Sequence, residues 1–94
     1  MDFYVYILES IQDGSYYKGY TIHPAERLAQ HNARECSYTS LKVPWVLIYV
    51  ELCRDKTAAL KREKVLKKYA HFQIEQLIRC SKNIVQQFLQ GENR

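Results

Sequence analysis

The sequence predicts a small α/β domain of the α+β type, with a mostly antiparallel three-stranded sheet flanked by helices. Stretches rich in β-forming residues occur at 3–9, 16–21 and 45–53, and a strongly helical stretch follows them. We expect all 94 residues, 1–94, to form one domain, because a core of this size cannot be divided between two. An apolar content of 47%, with three glycines and two prolines, excludes a disordered or collagen-like chain.

The first two strands are predicted to form a hairpin. Residues 3–9 are apolar on both faces, which indicates a strand that is covered on both sides. Asp13-Gly14 is a strong turn signal, and residues 16–21 follow it as the second strand. The two strands are therefore expected to be antiparallel neighbours.

The hairpin also predicts which side chains share a face. With the Asp-Gly pair at the centre of the turn, Ser10 would pair with Tyr17. Because side chains alternate along a strand, Tyr6 and Tyr17 would then point to the same side. Gly19, in the second strand, is expected to allow a close approach of the backbone to a helix or a phosphate.

A helix is predicted from Pro24 to about residue 33, because proline is favourable at the first helical position. Its predicted inward stripe consists of Ala25, Leu28, Ala29 and Asn32. Arg27 and His31 are four residues apart and would lie together on the flank of this helix. Without further partners they would be an ordinary exposed pair.

The second half of the chain is predicted to contain one strand and three helices. Residues 45–53 are almost continuously apolar and indicate a strand buried on both faces. Residues 56–69 are good helix formers without a breaker. Shorter helices are expected at 72–78 and, after a cap at Ser81, at 83–89.

Glu63 is unusual because it falls on the apolar side of the predicted long helix. Ala59, Glu63, Leu66 and Ala70 are spaced as neighbours along one helical stripe. We therefore expect the Glu63 side chain to point inward. Burial of a carboxylate is costly unless it is paired or holds a cation, so a structural salt bridge and a cation ligand both remain open.

Positive charge is concentrated in one part of the chain. Fourteen Lys and Arg against ten Asp and Glu residues give a net charge of +4, and residues 54–68 alone contain seven basic and two acidic side chains. A localised positive surface is typical of proteins that bind the phosphate backbone of nucleic acids. A solvated lysine-rich helix face would look the same, so charge alone leaves both interpretations open.

The sequence contains no pattern typical of a membrane span, a secretory signal or a cysteine metal site. The longest apolar run is much shorter than the roughly 20 residues of a membrane-spanning helix, so no membrane partner is expected. The N-terminal residues lack the basic start and apolar stretch of a secretory signal, which predicts a cytoplasmic location. Cys36, Cys53 and Cys80 have no metal-binding spacing and are expected to be small buried thiols.

Several short motifs occur in an informative order. They are Tyr4-Val5-Tyr6, Tyr17-Lys18-Gly19-Tyr20-Thr21, Arg27-Leu28-Ala29-Gln30-His31-Asn32, Tyr38-Thr39 and Ala58-Ala59-Leu60-Lys61-Arg62-Glu63. In this order they resemble the GIY-YIG nuclease superfamily, in particular its small stand-alone bacterial members, which are similar to the N-terminal nuclease module of excinuclease C. The resemblance extends over roughly residues 3–78.

The resemblance implies an endonuclease that hydrolyses phosphodiester bonds in DNA with one divalent ion, Mg²⁺ or Mn²⁺. Glu63 matches the metal ligand of the family, and Arg27 matches the residue that would hold the scissile phosphate. Tyr6 and Tyr17 match the pair that orients or deprotonates the attacking water, with Tyr17 as the expected general base. Its pKa, ordinarily about 10, would need nearby cations to lower it, for which Arg27 and the metal are the candidates. His31 would support positioning or proton transfer.

The resemblance also implies that the partner of this protein is DNA. The basic side chains expected to bind DNA are Lys18, Lys61, Arg62, Lys64, Lys67 and Lys68. By analogy the DNA would be branched, damaged or single-stranded, as in repair or processing, and a homodimer or an accessory protein partner is left open. The alternative is a catalytically weak nucleic-acid-binding or adaptor module that retains the fold. A purely structural domain would leave the basic segment unexplained.

Overall fold

The computed structural model describes residues 1–89. The strands are β1 (Phe3–Ser10), β2 (Tyr16–Thr21) and β3 (Trp45–Cys53), and the helices are α1 (Pro24–Asn32), α2 (Lys56–Leu66), α3 (His71–Ile78) and α4 (Gln86–Leu89). The strands form one antiparallel sheet in the order β2-β1-β3, with helices on both faces, so the predicted fold class is confirmed. None of the helices in this part of the chain is long and apolar enough to cross a bilayer.

The central strand β1 contributes to two apolar cores, one on each face of the sheet. Val5 and Ile7 pack with α2 and α3, and we call this cluster the α2–α3 core. Tyr6 and Leu8 face the other way and pack with α1 and α4 in the α1–α4 core. The apolar character of both faces of this strand therefore follows from its position in the middle of the sheet, as predicted.

The β1–β2 hairpin has a longer loop than the turn signal predicts. Leu8 pairs with Tyr17, and Ser10 N–H donates to the Ser15 carbonyl at 2.8 Å, so four residues rather than two connect the strands. The predicted pairing of Ser10 with Tyr17 is therefore wrong by two residues. A shift of two preserves the alternation of side chains, and Tyr6 and Tyr17 do lie on the same face.

Helix α1 buries only part of the predicted stripe, because Leu28 packs against the α1–α4 core but the two alanines do not. Its buried residues are Pro24 and His31, whereas Ala25 and Ala29 are exposed. Small alanines contribute little apolar area, so polar contacts of His31 decide the rotation of the helix. Asn32 fastens the end of α1 to β3: its amide donates to the Trp45 carbonyl at 2.9 Å and its oxygen accepts from Trp45 N–H at 2.7 Å.

The predicted long helix is shorter at its C-terminal end. Helix α2 begins at Lys56, where the Asp55 carboxylate caps it by accepting from Ala58 N–H at 2.8 Å, but it ends at Leu66 rather than at residue 69. The chain then turns, and Tyr69 packs against the α2–α3 core. Ala70 is the residue that precedes α3, so it does not extend the stripe on α2.

Two other predictions also need correction. The last helix begins at Gln86 rather than at Asn83, because the Asn83 side chain braces β3 by accepting from Val50 N–H and donating to the Ile48 carbonyl, each at 3.1 Å. Strand β3 is an edge strand, and its side chains at positions 46 and 52 are exposed. Burial of this strand on both faces, as predicted, therefore holds only in part.

Candidate active site

The Tyr6 side chain lies beneath α1, away from solvent. Only 1% of its area is exposed, and its hydroxyl is 3.0 Å from Nε2 of the completely buried His31. Burial raises the pKa of Tyr6 far more than the nearby Arg27 guanidinium lowers it. Burial also lowers the pKa of His31 to about 4, with a second contribution from the charge of Arg27. Both side chains are therefore neutral at physiological pH.

Thr39 determines which nitrogen of His31 carries the proton. The Thr39 hydroxyl is 2.9 Å from His31 Nδ1 and donates to the Cys36 carbonyl at 3.3 Å. If the one hydroxyl proton goes to the Cys36 carbonyl, Thr39 accepts from an Nδ1–H group, and this is the tautomer that we assign. The unprotonated Nε2 then accepts from the Tyr6 hydroxyl. Trp45 fixes this arrangement from the other side, because its indole Nε1 donates to the Thr39 carbonyl at 3.0 Å.

Gly19 lies directly across from Tyr6 in the β1–β2 pairing. A Cβ atom at Gly19 would stand 2.8 Å from the Tyr6 hydroxyl oxygen and 2.9 Å from the ring carbon that bears it. The absence of a side chain at this position therefore makes room for the Tyr6 phenol. The expected close approach is confirmed, but the approaching group is a phenol of the neighbouring strand rather than a helix or a phosphate.

The Arg27 guanidinium is held by neutral groups. Its Nη1 donates to Oε1 of Gln30 at 2.7 Å, one turn further along α1. It also lies beside the Tyr6 hydroxyl, whose oxygen can accept a hydrogen bond because its own proton points to His31. No salt bridge between Arg27 and an acidic residue occurs within residues 1–89. We refer to Arg27, Tyr6, His31 and Thr39 together as the polar chain.

Tyr17 is the more accessible phenol of the two motif tyrosines. It is only partly buried on the edge strand β2, and its ring centroid is 6.2 Å from that of Tyr6 and 4.8 Å from that of His31. Desolvation raises the pKa of Tyr17, and the opposing effect of Arg27 is smaller. The net lowering expected from neighbouring cations is therefore not found in the protein alone.

An open cavity of about 490 Å³ lies beside Tyr17 at this edge of the sheet, and we call it the edge cavity. Its lining residues are Tyr16, Tyr17, Lys18, Tyr38 and Lys67. They come from β2, from the loop between α1 and β3, and from the end of α2. The edge cavity therefore combines aromatic rings with two ammonium groups.

Glu63 approaches this edge from the opposite face of the sheet. Helix α2 is anchored in the α2–α3 core by Ala59 and Leu66, whereas Tyr17 packs with the α1–α4 core. Beyond the dominant effect of burial, the charge of Glu63 still raises the pKa of Tyr17, and that of Lys67 lowers it. The structure thus places the helix that carries Glu63 on the face of the sheet opposite to the core in which Tyr17 packs, and Glu63 does not line the edge cavity.

The Glu63 carboxylate is 16% exposed, in agreement with the inward orientation that the helical spacing predicts. Its Oε2 is 3.5 Å from the ammonium group of Lys67, which is 58% exposed and belongs to the next turn. This is a surface ion pair of the kind that contributes little stability, so the ammonium group can leave when another cation binds. A salt-bridged glutamate, one of the two predicted alternatives, is therefore what the protein alone contains.

The acidic side chains of the described residues fit a metal site that has a single protein carboxylate as ligand. Within the described part of the chain, no group of three or more His, Cys, Asp or Glu residues lies close enough to hold a metal ion. Mg²⁺ accepts one or two carboxylates and completes its coordination with water and substrate phosphate. Glu63 fits such a site as a partly buried carboxylate whose ammonium partner is displaceable.

The residues predicted to bind nucleic acid differ in their availability. The exposed ones are Lys61, Lys64, Lys67 and Lys68, and Lys18 is partly buried in the edge cavity. Arg62 instead donates through Nε to Oε1 of Glu51 at 3.1 Å, and both partners are mostly buried. This ion pair connects α2 to β3, which corrects the prediction of Arg62 as a nucleic-acid contact.

Sequence reasoning missed two members of the site. Thr39 belongs to a motif that supports the resemblance, but no role follows from that motif. Trp45 is predicted only as the start of a strand. Both act on His31 through contacts between the α1–β3 loop and the sheet, and such contacts leave no periodic signal in the sequence. The position of Tyr38-Thr39 within a matching motif is the one available indication.

Comparison with known proteins identifies the family of this chain. Residues 2–73 match the family model described as the GIY-YIG catalytic domain. This range includes the five residues predicted to be catalytic.

Curated relatives and a solved structure are similar over most of the chain. A UPF0213 protein of Bacillus cereus is 38% identical over 81 residues, which is 85% of this chain and 83% of that protein. The UPF0213 protein of Streptococcus pneumoniae serotype 4 is 40% identical over 76 residues, 80% and 76% of the two chains. The solution NMR structure of a UPF0213 protein from Bacillus halodurans has a TM-score of 0.55 and 31% identity, and the match covers 90% of each chain.

Proposed function

Because the chain belongs to the GIY-YIG catalytic-domain family, we propose that it is a metal-dependent endonuclease that hydrolyses phosphodiester bonds in DNA. The observation that carries this proposal is the polar chain. A guanidinium without an acidic partner among the described residues donates to the partly buried Gln30 side chain and lies beside the buried Tyr6 hydroxyl, next to an accessible phenol. Such an arrangement suits a phosphodiester, which brings negative charge and needs a positioned nucleophile.

Arg27 holds the scissile phosphate in this proposal. A guanidinium offers several donors in a fixed plane that matches phosphate oxygens. Gln30 and Tyr6 engage part of the group and orient the rest. Its charge would stabilise the additional negative charge that develops on the phosphate oxygens during hydrolysis.

Tyr17 orients the attacking water and accepts its proton. It is the motif tyrosine that lines the edge cavity, whereas Tyr6 is shielded beneath α1. Because its pKa is raised, very little of Tyr17 is in the phenolate form at neutral pH in the protein alone. Bound substrate and metal would change the local charge, and a cation near the phenolate would favour its ionised form.

Tyr6 and His31 act as positioning residues. The buried imidazole is neutral, its orientation is fixed by Thr39, and its Nε2 accepts a hydrogen bond from the Tyr6 hydroxyl. The Tyr6 oxygen is then presented to Arg27 as an acceptor. The sequence prediction of a supporting role for His31 is retained, and Tyr6 is assigned a position behind Arg27 rather than at the water.

Glu63 would hold the divalent ion, Mg²⁺ or Mn²⁺. The ion, when bound, supplies positive charge that neutralises the leaving oxygen. Release of Lys67 from Glu63 would make its ammonium group available to a phosphate of the same strand. Lys18, Lys61, Lys64 and Lys68 would bind flanking phosphates, and the proposed substrates are branched, damaged or single-stranded DNA in repair or processing.

A catalytically weak nucleic-acid-binding module is the second candidate function. Two observations favour it: the pKa of Tyr17 is raised by burial, and Glu63 is paired with Lys67. A protein that only binds DNA would keep the lysines and have no use for an ionised phenol. The two candidates differ in one measurable property, metal-dependent cleavage.

The test is a cleavage assay on linear, flap, junction and single-stranded DNA, with Mg²⁺, with Mn²⁺ and with EDTA. We expect metal-dependent nicking by the wild type and its loss in Glu63→Gln, while DNA affinity measured in EDTA stays nearly the same. Glu75→Gln, which alters an exposed carboxylate on α3, is the matched control and should cleave normally. Equal cleavage by wild type and Glu63→Gln would contradict the metal-ligand role. Binding without cleavage of any substrate would favour the second candidate.

A further inference from the structure

Tyr38 is a large aromatic residue that the fold leaves in solvent. Its side chain is 84% exposed, although its neighbour in the chain, Thr39, is buried. The hydrogen bonds of Thr39 to the Cys36 carbonyl and from the Trp45 indole anchor the backbone on which Tyr38 stands. The ring is therefore presented from a fixed position, which lowers the entropic cost of using it for binding.

Cavities lie on two sides of Tyr38. One is the edge cavity of about 490 Å³, where the Tyr38 ring centroid is 5.9 Å from that of Tyr17. The other has a volume of about 130 Å³, and we call it the loop cavity. Its lining residues are Ser15, Tyr16, Tyr38, Lys42 and Trp45. Tyr38 thus stands between two depressions that both contain aromatic rings, and one of them is also lined by the motif residue Tyr17.

Positive charge accompanies the rings in both cavities. Lys18 and Lys67 line the edge cavity, and Lys42 lines the loop cavity. Lys18 has no salt-bridge partner among residues 1–89. Lys67 pairs with Glu63, and Lys42 pairs with the exposed Asp13. A strand with regularly spaced phosphates would compensate these ammonium groups.

The linings carry little that could read a base sequence. None of the described residues that line the two cavities is Asn, Gln, Asp, Glu or Arg. Those side chains make most bidentate contacts to base edges, and of the groups that can also contact them the linings contain lysines and Ser15. Aromatic faces, by contrast, accept any base, provided that its own face is uncovered. In a duplex both faces of each base are covered by the neighbouring base pairs.

We propose that Tyr38 is a stacking platform for an unpaired base of single-stranded DNA, and that the phosphates on either side of this base lie at Lys18 and Lys67. The proposal rests on the proposed nuclease function for the orientation of the strand, because the same path passes Tyr17. It narrows the substrate class to DNA with an unpaired segment at the cleavage site, such as a flap or a single strand.

The experiment measures DNA binding in EDTA, so that it does not depend on catalysis. Wild type, Tyr38→Ala and Tyr38→Phe are titrated against a short fluorescent single strand, the same strand with one abasic position, and the corresponding duplex. Leu41→Ala is the matched control, since Leu41 is also 81% exposed, belongs to the same loop and lines neither cavity. Circular dichroism verifies that every variant is folded.

We expect Tyr38→Ala to weaken single-strand binding by about 5- to 100-fold, the effect of losing one stacked base, and Tyr38→Phe and Leu41→Ala to bind like the wild type. The deficit should be much smaller for the duplex. The salt dependence of binding should persist in Tyr38→Ala, because stacking releases no counterions, and decrease in Lys18→Gln.

Three results would overturn the proposal. They are unchanged binding by Tyr38→Ala, an equal loss in Tyr38→Phe, which would indicate a hydrogen bond of the hydroxyl instead, and an equal loss for single strand and duplex. Failure of the nuclease proposal has a different signature, because absence of cleavage would leave this binding pattern intact. Conversely, if the wild type cleaves DNA and Tyr38→Ala binds single strands as the wild type does, the stacking proposal is rejected and the nuclease proposal is retained.

Discussion

The Tyr6 hydroxyl fills the space that the missing side chain of Gly19 leaves open on the neighbouring strand. The two residues are directly paired between β1 and β2, and any Cβ at position 19 would come within 2.8 Å of the hydroxyl oxygen. The phenol is therefore confined between the β2 backbone and His31. The same confinement fixes the acceptor that faces Arg27.

Gly19→Ala should disturb this confinement. We expect a loss of about 1–3 kcal/mol in the free energy of unfolding, as in other overpacked interiors, measured by urea denaturation. Tyr6→Leu in the same chain should remove part of the added cost, because the clashing hydroxyl and ring carbon are gone. A Gly19→Ala variant as stable as the wild type would show that the Tyr6 ring can move aside freely.

Tyr17→Phe should remove most of the cleavage rate while the fold is preserved. The phenyl ring keeps the contacts with Tyr6 and His31 and lacks only the group that would accept a proton. With Tyr17 as base, the wild-type rate should rise about tenfold per pH unit at pH values below the pKa that Tyr17 has in the complex with metal and substrate. Unchanged turnover in Tyr17→Phe would assign the base to another group.

Protonation of His31 should destabilise the protein. The unfolded state takes up this proton near pH 6.5 and the folded state only near pH 4, because burial and then Arg27 disfavour the imidazolium. Between these values the unfolded state binds more protons, so stability that is fully present above about pH 6.5 decreases by up to about 3 kcal/mol as the pH falls. Urea denaturation at several pH values measures this loss.

His31→Gln should have a flatter stability profile between about pH 6.5 and pH 4, because it carries no proton to take up. His23→Gln, which changes an exposed histidine, should retain the wild-type profile. Identical profiles for wild type and His31→Gln would contradict the buried neutral state of His31.

Thr39→Val should remove the hydrogen bond between position 39 and His31 without changing the shape of the site. The buried Nδ1–H loses its acceptor, which typically costs about 1–3 kcal/mol of stability. The proton is then free to move to Nε2, and the Tyr6 hydroxyl loses its acceptor. Nitrogen NMR shifts of His31 would report this change of tautomer, and Thr39→Ser should restore the wild-type shifts. An unaltered tautomer in Thr39→Val would contradict the assigned direction of the hydrogen bonds.

Charge reversal at Lys61, Lys64 and Lys67 should weaken DNA binding in EDTA. The salt dependence should also become shallower, by about 0.9 in the logarithmic slope for each duplex phosphate that is no longer neutralised. Lys82→Glu, in the turn after α3, is a control on an exposed lysine outside the proposed interface. An unaltered slope in the triple variant would show that this helix face serves solubility only.

The hairpin and α1 illustrate what sequence patterns can predict. The common face of Tyr6 and Tyr17 is predicted correctly although the loop length is not, because an error of two residues does not change the alternation of a strand. The stripe on α1 is predicted only in part: Leu28 and Asn32 face the sheet, whereas Ala25 and Ala29 are exposed, because alanines scarcely constrain the rotation of a helix. There the contacts of His31 with Tyr6 and Thr39 decide the outcome, and Thr39 lies beyond the end of that helix.

In helix α2 as well, sequence patterns predict where the charged residues lie but not which of them are paired. Composition locates the positive segment, and helical spacing predicts that Glu63 is sheltered. Neither can distinguish Arg62, which is paired with Glu51 of β3, from the exposed lysines around it. Partners that come from a different element are invisible to a pattern within one helix.

The amino-acid order alone thus predicted the three strands, the approximate positions of the helices and the α+β class, because these depend on local periodicity and propensity. The set of polar residues to consider came from the resemblance to the GIY-YIG family. Tertiary packing decided that Tyr6 and His31 are buried and neutral, that Tyr17 is left accessible, and that Glu63 lies on a helix packed against the other face of the sheet. The physical reason is that desolvation and hydrogen-bond direction depend on atoms that are distant in sequence, and only the folded chain brings those atoms together.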